Sequence, residues 1–312
     1  MQKKALILMN MGASRNKKEF KIFLKNMFFD EAILPIKNKI LRKIISFFIV
    51  RKIYKKNWKN FEKIWWTSPM HKITEKLLKK LEKKLDNFKI FYSMRYTSPF
   101  SEEIIKKLKK ENIKEVILFP LYPHNSIATN VSSIKDFEKK AKNFFKIKKI
   151  KAFFENEIYN SIIIENIRKK MKNKKFENYE FIFSAHSMPK RVIDSGDTYQ
   201  KHIEKNIEIL KKEFEKNNMN FNSITLAYQS KVWKQEWLEP SLWKILKKMK
   251  NKNVIIYPIS FIIDNSETVY ELDIEYKEIA KNFWVKDYIR VDCINDNEKF
   301  CNMIIWELKK IN

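Results

Sequence analysis

Short apolar runs rich in β-branched and aromatic residues recur along the whole chain, separated by longer Lys- and Glu-rich stretches with helical spacing. The runs fall at residues 5–9, 88–92, 116–119, 150–154, 179–184, 223–227, 254–257 and 288–291, and the clearest helical patterns at 73–85, 102–111, 158–172 and 198–216. Strands that alternate with helices form parallel sheets covered on both faces, and strands buried on both faces read as contiguous apolar runs. The predicted class is therefore α/β. A chain of 312 residues holds one large or two medium domains. Here it reads as two units, residues 1–146 and 147–312. Each has a strand that breaks at a proline before a loop: Val116-Ile-Leu-Phe-Pro120-Leu-Tyr-Pro-His124 in the first, Val254-Ile-Ile-Tyr-Pro258 in the second. That parallel hints at a duplicated fold with a cleft between the halves.

The formal net charge of +28 raises three partners: nucleic acid, an anionic membrane face or an acidic ligand. Only seven of the 65 basic residues are Arg, and the chain has two glycines. Lys, Ile and Asn abound while Gly and Pro are scarce, the pattern of nucleotide bias in coding DNA. A reader of bases or phosphates needs the bidentate geometry of Arg, so no nucleic-acid partner is expected. Attraction to anionic lipid fits better, each nearby Lys contributing about 1 kcal/mol. Residues 38–58 carry Ile44-Ile-Ser-Phe-Phe-Ile-Val50 between basic flanks. This is either a membrane-surface lip or a core helix with solvated ends. No run reaches the ~18 apolar residues of a membrane span. The first run is too short for a signal segment. Cys293 and Cys301 lack CxxC spacing, so a zinc site, an iron–sulfur cluster and a disulfide framework are not expected, which fits a reducing cytoplasm. G-x-G-x-x-G and Walker loops are absent, although Gly12 after the first strand permits a tight turn or a close ligand.

Two strand ends carry the chemistry. Phe181-Ile-Phe-Ser-Ala-His-Ser-Met-Pro189 runs a strand into His186. Val254-Ile-Ile-Tyr-Pro-Ile-Ser-Phe-Ile-Ile263 runs into Asp264, Glu267 and Glu271. Strand ends in α/β folds are where ligands bind, and an imidazole beside carboxylates makes a proton- or metal-handling site. Glu267, Glu271 and Glu275 share one face of an α-helix, where like charges cost roughly 0.2–0.5 kcal/mol per pair. Such a stack is easiest to understand if cations or protons visit it, though Asp264 with Glu267 also matches a capping box. Of the other histidines, His71 and His202 read as surface residues, and His124 has no evident partner. Arg95 at a strand terminus suits either an acidic ligand group or a neighbouring carboxylate.

Taken together, Leu8-Met-Asn-Met-Gly12, Met94-Arg-Tyr96, Phe119-Pro-Leu-Tyr-Pro123, Phe183-Ser-Ala-His-Ser187, Gly196-Asp-Thr-Tyr199, Tyr228-Gln-Ser-Lys-Val232 with Trp237-Leu238, and Pro258-Ile-Ser-Phe-Ile-Ile-Asp264 running into Glu267-Thr-Val-Tyr-Glu-Leu-Asp273 resemble the ferrochelatase family, in order and spacing over nearly the whole chain. The resemblance implies two Rossmann-like, chelatase-type domains with a porphyrin in the cleft between them. It implies an enzyme that inserts Fe2+ into protoporphyrin IX and releases two protons, with coproporphyrin or another tetrapyrrole, or a catalytically weakened porphyrin binder, as alternatives. It makes His186 and Glu267 the catalytic pair and the metal-handling residues. Met11, Arg95, Tyr96, Tyr122 and Phe261 would line the macrocycle, Asp264 and Glu271 would extend an acidic path, and residues 38–58 would be a lip facing the inner membrane surface. Fe2+ enters as substrate, and no tightly bound cofactor is expected. Three departures stand out: Asn265 where many relatives have His, Trp65-Trp66 in place of a glycine-rich turn, and Trp233 at another glycine position. The sequence carries no signal of oligomeric state.

Overall fold

The structure, a computed structural model, describes residues 4–64, 67–231 and 235–311, without the side chains of residues 56–61. Trp65, Trp66 and Trp233 lie outside the described residues. The chain divides into two compact units, one of residues 1–122, 126–151 and 304–312, the other of residues 123–125 and 152–303. The expected boundary at 146/147 falls one residue into a strand of the first unit, and the last nine residues also belong to that unit.

The first unit holds strands β1 (Lys4–Asn10), β2 (Phe88–Met94), β3 (Glu115–Pro120) and β4 (Lys146–Lys149) in the order β2-β1-β3-β4, all parallel. β1 is buried on both faces from Ala5 to Asn10, which is why its apolar residues run without alternation. Helix Ser101–Lys110 lays Ile104, Ile105 and Leu108 onto this sheet, in one cluster with Ile7, Val116 and Leu118. The fourth strand differs from expectation: it is Lys146-Ile-Lys-Lys149 and not the apolar run 150–154. It is an edge strand in which Ile147 faces the core and lysines blunt the open side. The apolar Phe153 and Phe154 are buried just beyond it, outside the sheet.

The second unit repeats the plan with β5 (Tyr179–His186), β6 (Ser223–Gln229), β7 (Asn253–Tyr257) and β8 (Asp287–Arg290) in the order β6-β5-β7-β8, again parallel throughout. The order of the second sheet is that of the first with every number raised by four, so the two units share one topology. Each also has a π-helical stretch after its third strand, Ile127–Val131 in the first and Glu267–Glu275 in the second. The carboxylate segment is thus not the α-helix expected for it. In a π-helix the hydrogen bonds reach one residue further and the turn is wider, so residues four apart lie closer to one line than in an α-helix.

Candidate active site

His186 is the last residue of β5, and Glu267 opens the π-helix after β7. The two meet: His186 Nδ1 lies 2.7 Å from Glu267 Oε2. The central position of β5 in its sheet and the break of β7 at Pro258 bring these strand ends together. Asn265 sets the start of the π-helix. Its Oδ1 accepts from the Glu267 N–H at 2.8 Å, and its Nδ2 donates to the Ile263 carbonyl at 3.1 Å. The Asn265 side chain is therefore used in local capping. Because Asn265 does that work, the Glu267 carboxylate is released from the capping-box role and faces His186 instead.

Ser230, at the end of β6, completes the cluster. Its Oγ lies 3.0 Å from Glu267 Oε2 and 2.5 Å from Glu271 Oε2. Its backbone is left-handed, with φ 67°, a conformation uncommon for a residue with a side chain. Gln229 Nε2 donates toward Glu271 at 3.4 Å while its Oε1 accepts from Ser184 Oγ at 2.6 Å. Ser230 and Gln229 are the functional candidates that residue-by-residue reading missed. The signal was present, since β6 is the neighbour of β5 and Gln229 lies opposite His186 in register.

The electrostatics separate the two carboxyls. Burial alone would lower the His186 imidazole, but the charge and hydrogen bond of Glu267 outweigh it and raise His186 above its ordinary value. Burial would raise Glu267, yet His186 and the Ser230 hydroxyl hold it below the usual carboxylate range. Glu271 goes the other way: burial first, then repulsion from Glu267, push it up to about 8. At neutral pH Glu267 is thus ionised and Glu271 protonated. A hydroxyl has one proton to give, so Ser230 can satisfy both neighbours only if Glu271 donates to it and it donates to Glu267. The cluster is a directed chain from Glu271 through Ser230 to Glu267, with His186 on its far side.

The other expected site residues are placed differently. Asp264 is bound on both oxygens, by Arg290 Nη1 at 2.7 Å and Asn295 Nδ2 at 2.7 Å. Arg290 also grips Asp273 through Nε at 2.9 Å. Asp264 is thus held in an internal ion pair. In the first unit, Arg95 Nη2 donates to Asp30 at 2.6 Å, its Nε to Ser132 Oγ at 3.0 Å, and its Nη1 lies 3.2 Å from Asp136. Tyr96, with no exposed surface, donates to the same Asp30 at 3.0 Å. Arg95 and Tyr96 therefore satisfy internal carboxylates, and burial of Tyr96 leaves it no face for a ligand. Tyr122 is buried with its hydroxyl 3.4 Å from Ser133 Oγ. Met11 and Phe261 are half-buried. Gly12 answers to a protein neighbour: a Cβ there would come within 2.4 Å of Thr97 Oγ1.

The remaining histidines are internal. His71 is buried with Nε2 2.9 Å from the Ala13 carbonyl, and half-buried His202 accepts from the Asn125 N–H at 3.1 Å, so neither is the surface residue expected. Helices hide the alternation that would have marked these rings as inward-facing. His124 has a partner in Asn206, at 3.1 Å, and burial pushes it down to about 3. Among the described residues no group of three or more His, Cys, Asp or Glu side chains is gathered closely enough to hold a metal ion.

Helix Lys39–Glu62 reverses the usual pattern. Arg42 and Ser46 are buried, Arg42 against Glu31 at 2.9 Å, while Ile40, Phe47 and Phe48 are 74%, 61% and 65% exposed. No helix among the described residues is long and apolar enough to cross a membrane.

Comparison with known proteins identifies the family. A family model described as ferrochelatase matches residues 3–310. The chain is 42% identical to a ferrochelatase of Sulfurimonas denitrificans over 98% of both chains, and 43% identical to one of Campylobacter concisus over 98% of both. A ferrochelatase of Helicobacter pylori is 37% identical over 99% of this chain and 94% of its own. Among solved structures, the sirohydrochlorin chelatase of Bacillus subtilis in complex with cobalt superposes with a TM-score of 0.57 at 10% identity, covering 99% of this chain and 94% of that one. CbiX, a terminal enzyme of sirohaem biosynthesis in denitrifying bacteria, gives a TM-score of 0.55 at 8% identity over the full length of both. These distant structures share the two-unit chelatase fold. The chain therefore belongs to the ferrochelatase family, the lyases that insert Fe2+ into protoporphyrin.

Proposed function

We propose that His186 accepts the protons that leave the porphyrin nitrogens as Fe2+ enters, and that Glu267, Ser230 and Glu271 carry protons or Fe2+ to and from it. The observation that carries this reading is the 2.7 Å contact between His186 Nδ1 and Glu267. With Nδ1–H donated to the carboxylate, the lone pair of neutral imidazole sits on Nε2, the nitrogen that can take a proton. Glu267 fixes the tautomer and stabilises the imidazolium once formed, and once Glu271 has given its own proton to solvent and the Ser230 hydroxyl has turned, the Glu267–Ser230–Glu271 chain gives the proton of His186 a route onward. Carboxylate oxygens hold Fe2+ weakly enough to pass it on, where a thiolate site would trap it. Fe2+ is the substrate, and the two cysteines fall short of the four thiolates of an iron–sulfur cluster. Met11, Tyr122 and Phe261 serve as contacts for the macrocycle, and Arg95, Tyr96 and Asp264 as framework.

The outward apolar row on helix Lys39–Glu62, set among Lys39, Lys43, Arg51 and Lys52, supports peripheral contact with an anionic membrane surface on the cytoplasmic side. An apolar porphyrin would be exchanged with the bilayer there. Iron insertion by the purified protein, followed as the change in porphyrin absorbance, tests the central reading. Wild type should turn over, and His186→Ala should be inactive with porphyrin still bound. Retained activity in that variant overturns the assignment.

A further inference from the structure

β5 is paired unevenly. Against β6 its register runs out to His186 opposite Gln229, but against β7 it stops at Phe183 opposite Tyr257. Pro258 turns its backbone to the β8 side, as Ile256 does, and the chain then bends away in a turn that puts the Phe261 N–H on the Pro258 carbonyl at 3.1 Å. One further contact survives, from the Ile259 N–H to the Ser184 carbonyl at 3.0 Å. Alternate residues of a strand turn their N–H and C=O to the same side. His186, two residues on from Ser184, therefore points both backbone groups at the place where β7 has ended. Left unpaired and half-buried, they would loosen the residue that must be held best.

Two side chains fill that place. The His186 N–H donates to Ser260 Oγ at 3.0 Å, and Tyr199 Oη donates to the His186 carbonyl at 3.0 Å. Tyr199 Oη and Ser260 Oγ are themselves 2.7 Å apart. Only one arrangement of protons satisfies all three contacts. The phenol proton goes to the carbonyl, so the Ser260 proton must go to Tyr199, and the backbone N–H closes the ring. Tyr199 is fixed in turn: it is buried, its N–H donates to Asp197 Oδ1 at 2.8 Å, and the turn before it uses the positive φ of Gly196.

We infer that Tyr199 and Ser260 are positioning residues, a two-hydroxyl clamp that replaces the pairing lost where β7 turns away and fixes the peptide of His186. The direction in which the imidazole meets a reacting N–H then depends on two groups that bond to its backbone and not to its ring. This inference rests on the reading of His186 as proton acceptor. It also gives the segment Gly196-Asp-Thr-Tyr199 a task.

The test compares iron insertion by Ser260→Ala, Tyr199→Phe, the double variant, Ser260→Thr and His186→Ala, with thermal melts of each. Both single variants should lose about tenfold in kcat, as groups that orient a functional His do, with KM for protoporphyrin nearly unchanged. The double variant should be no worse than the poorer single one, because either change opens the ring. Ser260→Thr, which keeps the hydroxyl, should restore wild-type kcat. In Tyr199→Phe, which preserves packing, the 15N resonances of the His186 imidazole should shift. Wild-type kcat in both single variants beside an inactive His186→Ala would overturn the clamp alone, as would losses that multiply or imidazole resonances that stay in place. An active His186→Ala would overturn the base assignment and the clamp with it.

Discussion

In the first unit β1 ends at Asn10, whose side chain accepts from the next backbone N–H at 2.8 Å, and in the second β5 ends at His186 against Glu267. The π-helical turn of the first unit is Ile-Ala-Thr-Asn-Val, where Asn130 closes on the Ser126 N–H at 2.8 Å; that of the second begins with Glu267 and continues to Glu271 and Glu275. Strand order and the place of the π-helix are the same in both. The contrast shows what the shared fold supplies, which is a central strand end and a π-helical start aimed at one another. What it does not supply is acid–base chemistry. The first unit pairs its charges internally, Arg95 with Asp30 and Asp136, while the second leaves one carboxyl ionised and one protonated side by side.

The most direct way to break the comparison is to give the second unit the strand-end residue of the first. His186→Asn should fold normally and lose about 10²- to 10⁴-fold in kcat, the usual worth of a positioned acid–base group. A variant within tenfold of wild type, by initial rates of iron insertion, would mean that the difference between the two strand ends is not chemical. Glu267→Gln should cost less, about 10- to 100-fold, because the imidazole keeps a hydrogen-bond acceptor but loses the charge. It should also move the pH profile. A base must be neutral to accept a proton, so activity falls as pH drops through the raised His186 value. Removing the Glu267 charge lowers that value, so the acid limb of kcat should shift to lower pH. An unmoved limb would assign the titration to another group.

Most of this contrast was legible in the sequence, for reasons that also explain where reading failed. β-strand runs buried on both faces are self-announcing, and His186 and Glu267 stood at two of their ends. The edge strand was missed because Lys-Ile-Lys-Lys has the composition of a solvated loop, whereas its identity depends on pairing with β3. The π-helix was read as α because carboxylates four apart fit both windings. The resemblance puts Asp264 in the acidic path, but Arg290 and Asn295 reach it from 26 and 31 residues away, and no local pattern announces such partners. Ser230 lies within Tyr228-Gln-Ser-Lys-Val232, but a lone serine means little until two carboxylates flank it.

The exposed helix belongs to the first unit, so the unit without the His–Glu pair carries the proposed lipid surface. Replacing Phe47 and Phe48 by Ser should weaken binding to anionic vesicles about tenfold or more, since even partial burial of two aromatic side chains in the interface is worth over ~1.4 kcal/mol. Binding to neutral vesicles should be weaker throughout, and the fold should be undisturbed because both rings already face outward. Equal vesicle affinity of variant and wild type, measured by co-sedimentation, would return this helix to the status of an ordinary surface element.

The smallest expected effect sharpens the contrast most, because it isolates Glu271. Its folded value of about 8 lies above the ~4.3 of a solvated Glu, so between those limits the folded chain binds one proton more than the unfolded chain. For this group stability is present at low pH and declines as pH rises through the window. Glu271→Gln cannot ionise, so it should match wild type near pH 5, gain on it progressively, and level off above pH 8. A half-buried carboxyl relaxes toward water, so the gain should be about 1–2 kcal/mol, less than the full shift would give at ~1.4 kcal/mol per unit. His186 also contributes stability that is lost as pH rises through its own raised value, but it does so in both proteins and largely cancels. The difference in Tm between variant and wild type, followed from pH 5 to 9, therefore reports on the second carboxyl. A difference that does not grow with pH would mean that Glu271 is ionised beside Glu267 throughout this range, and that the pair of carboxylates is not held apart by a proton on the second.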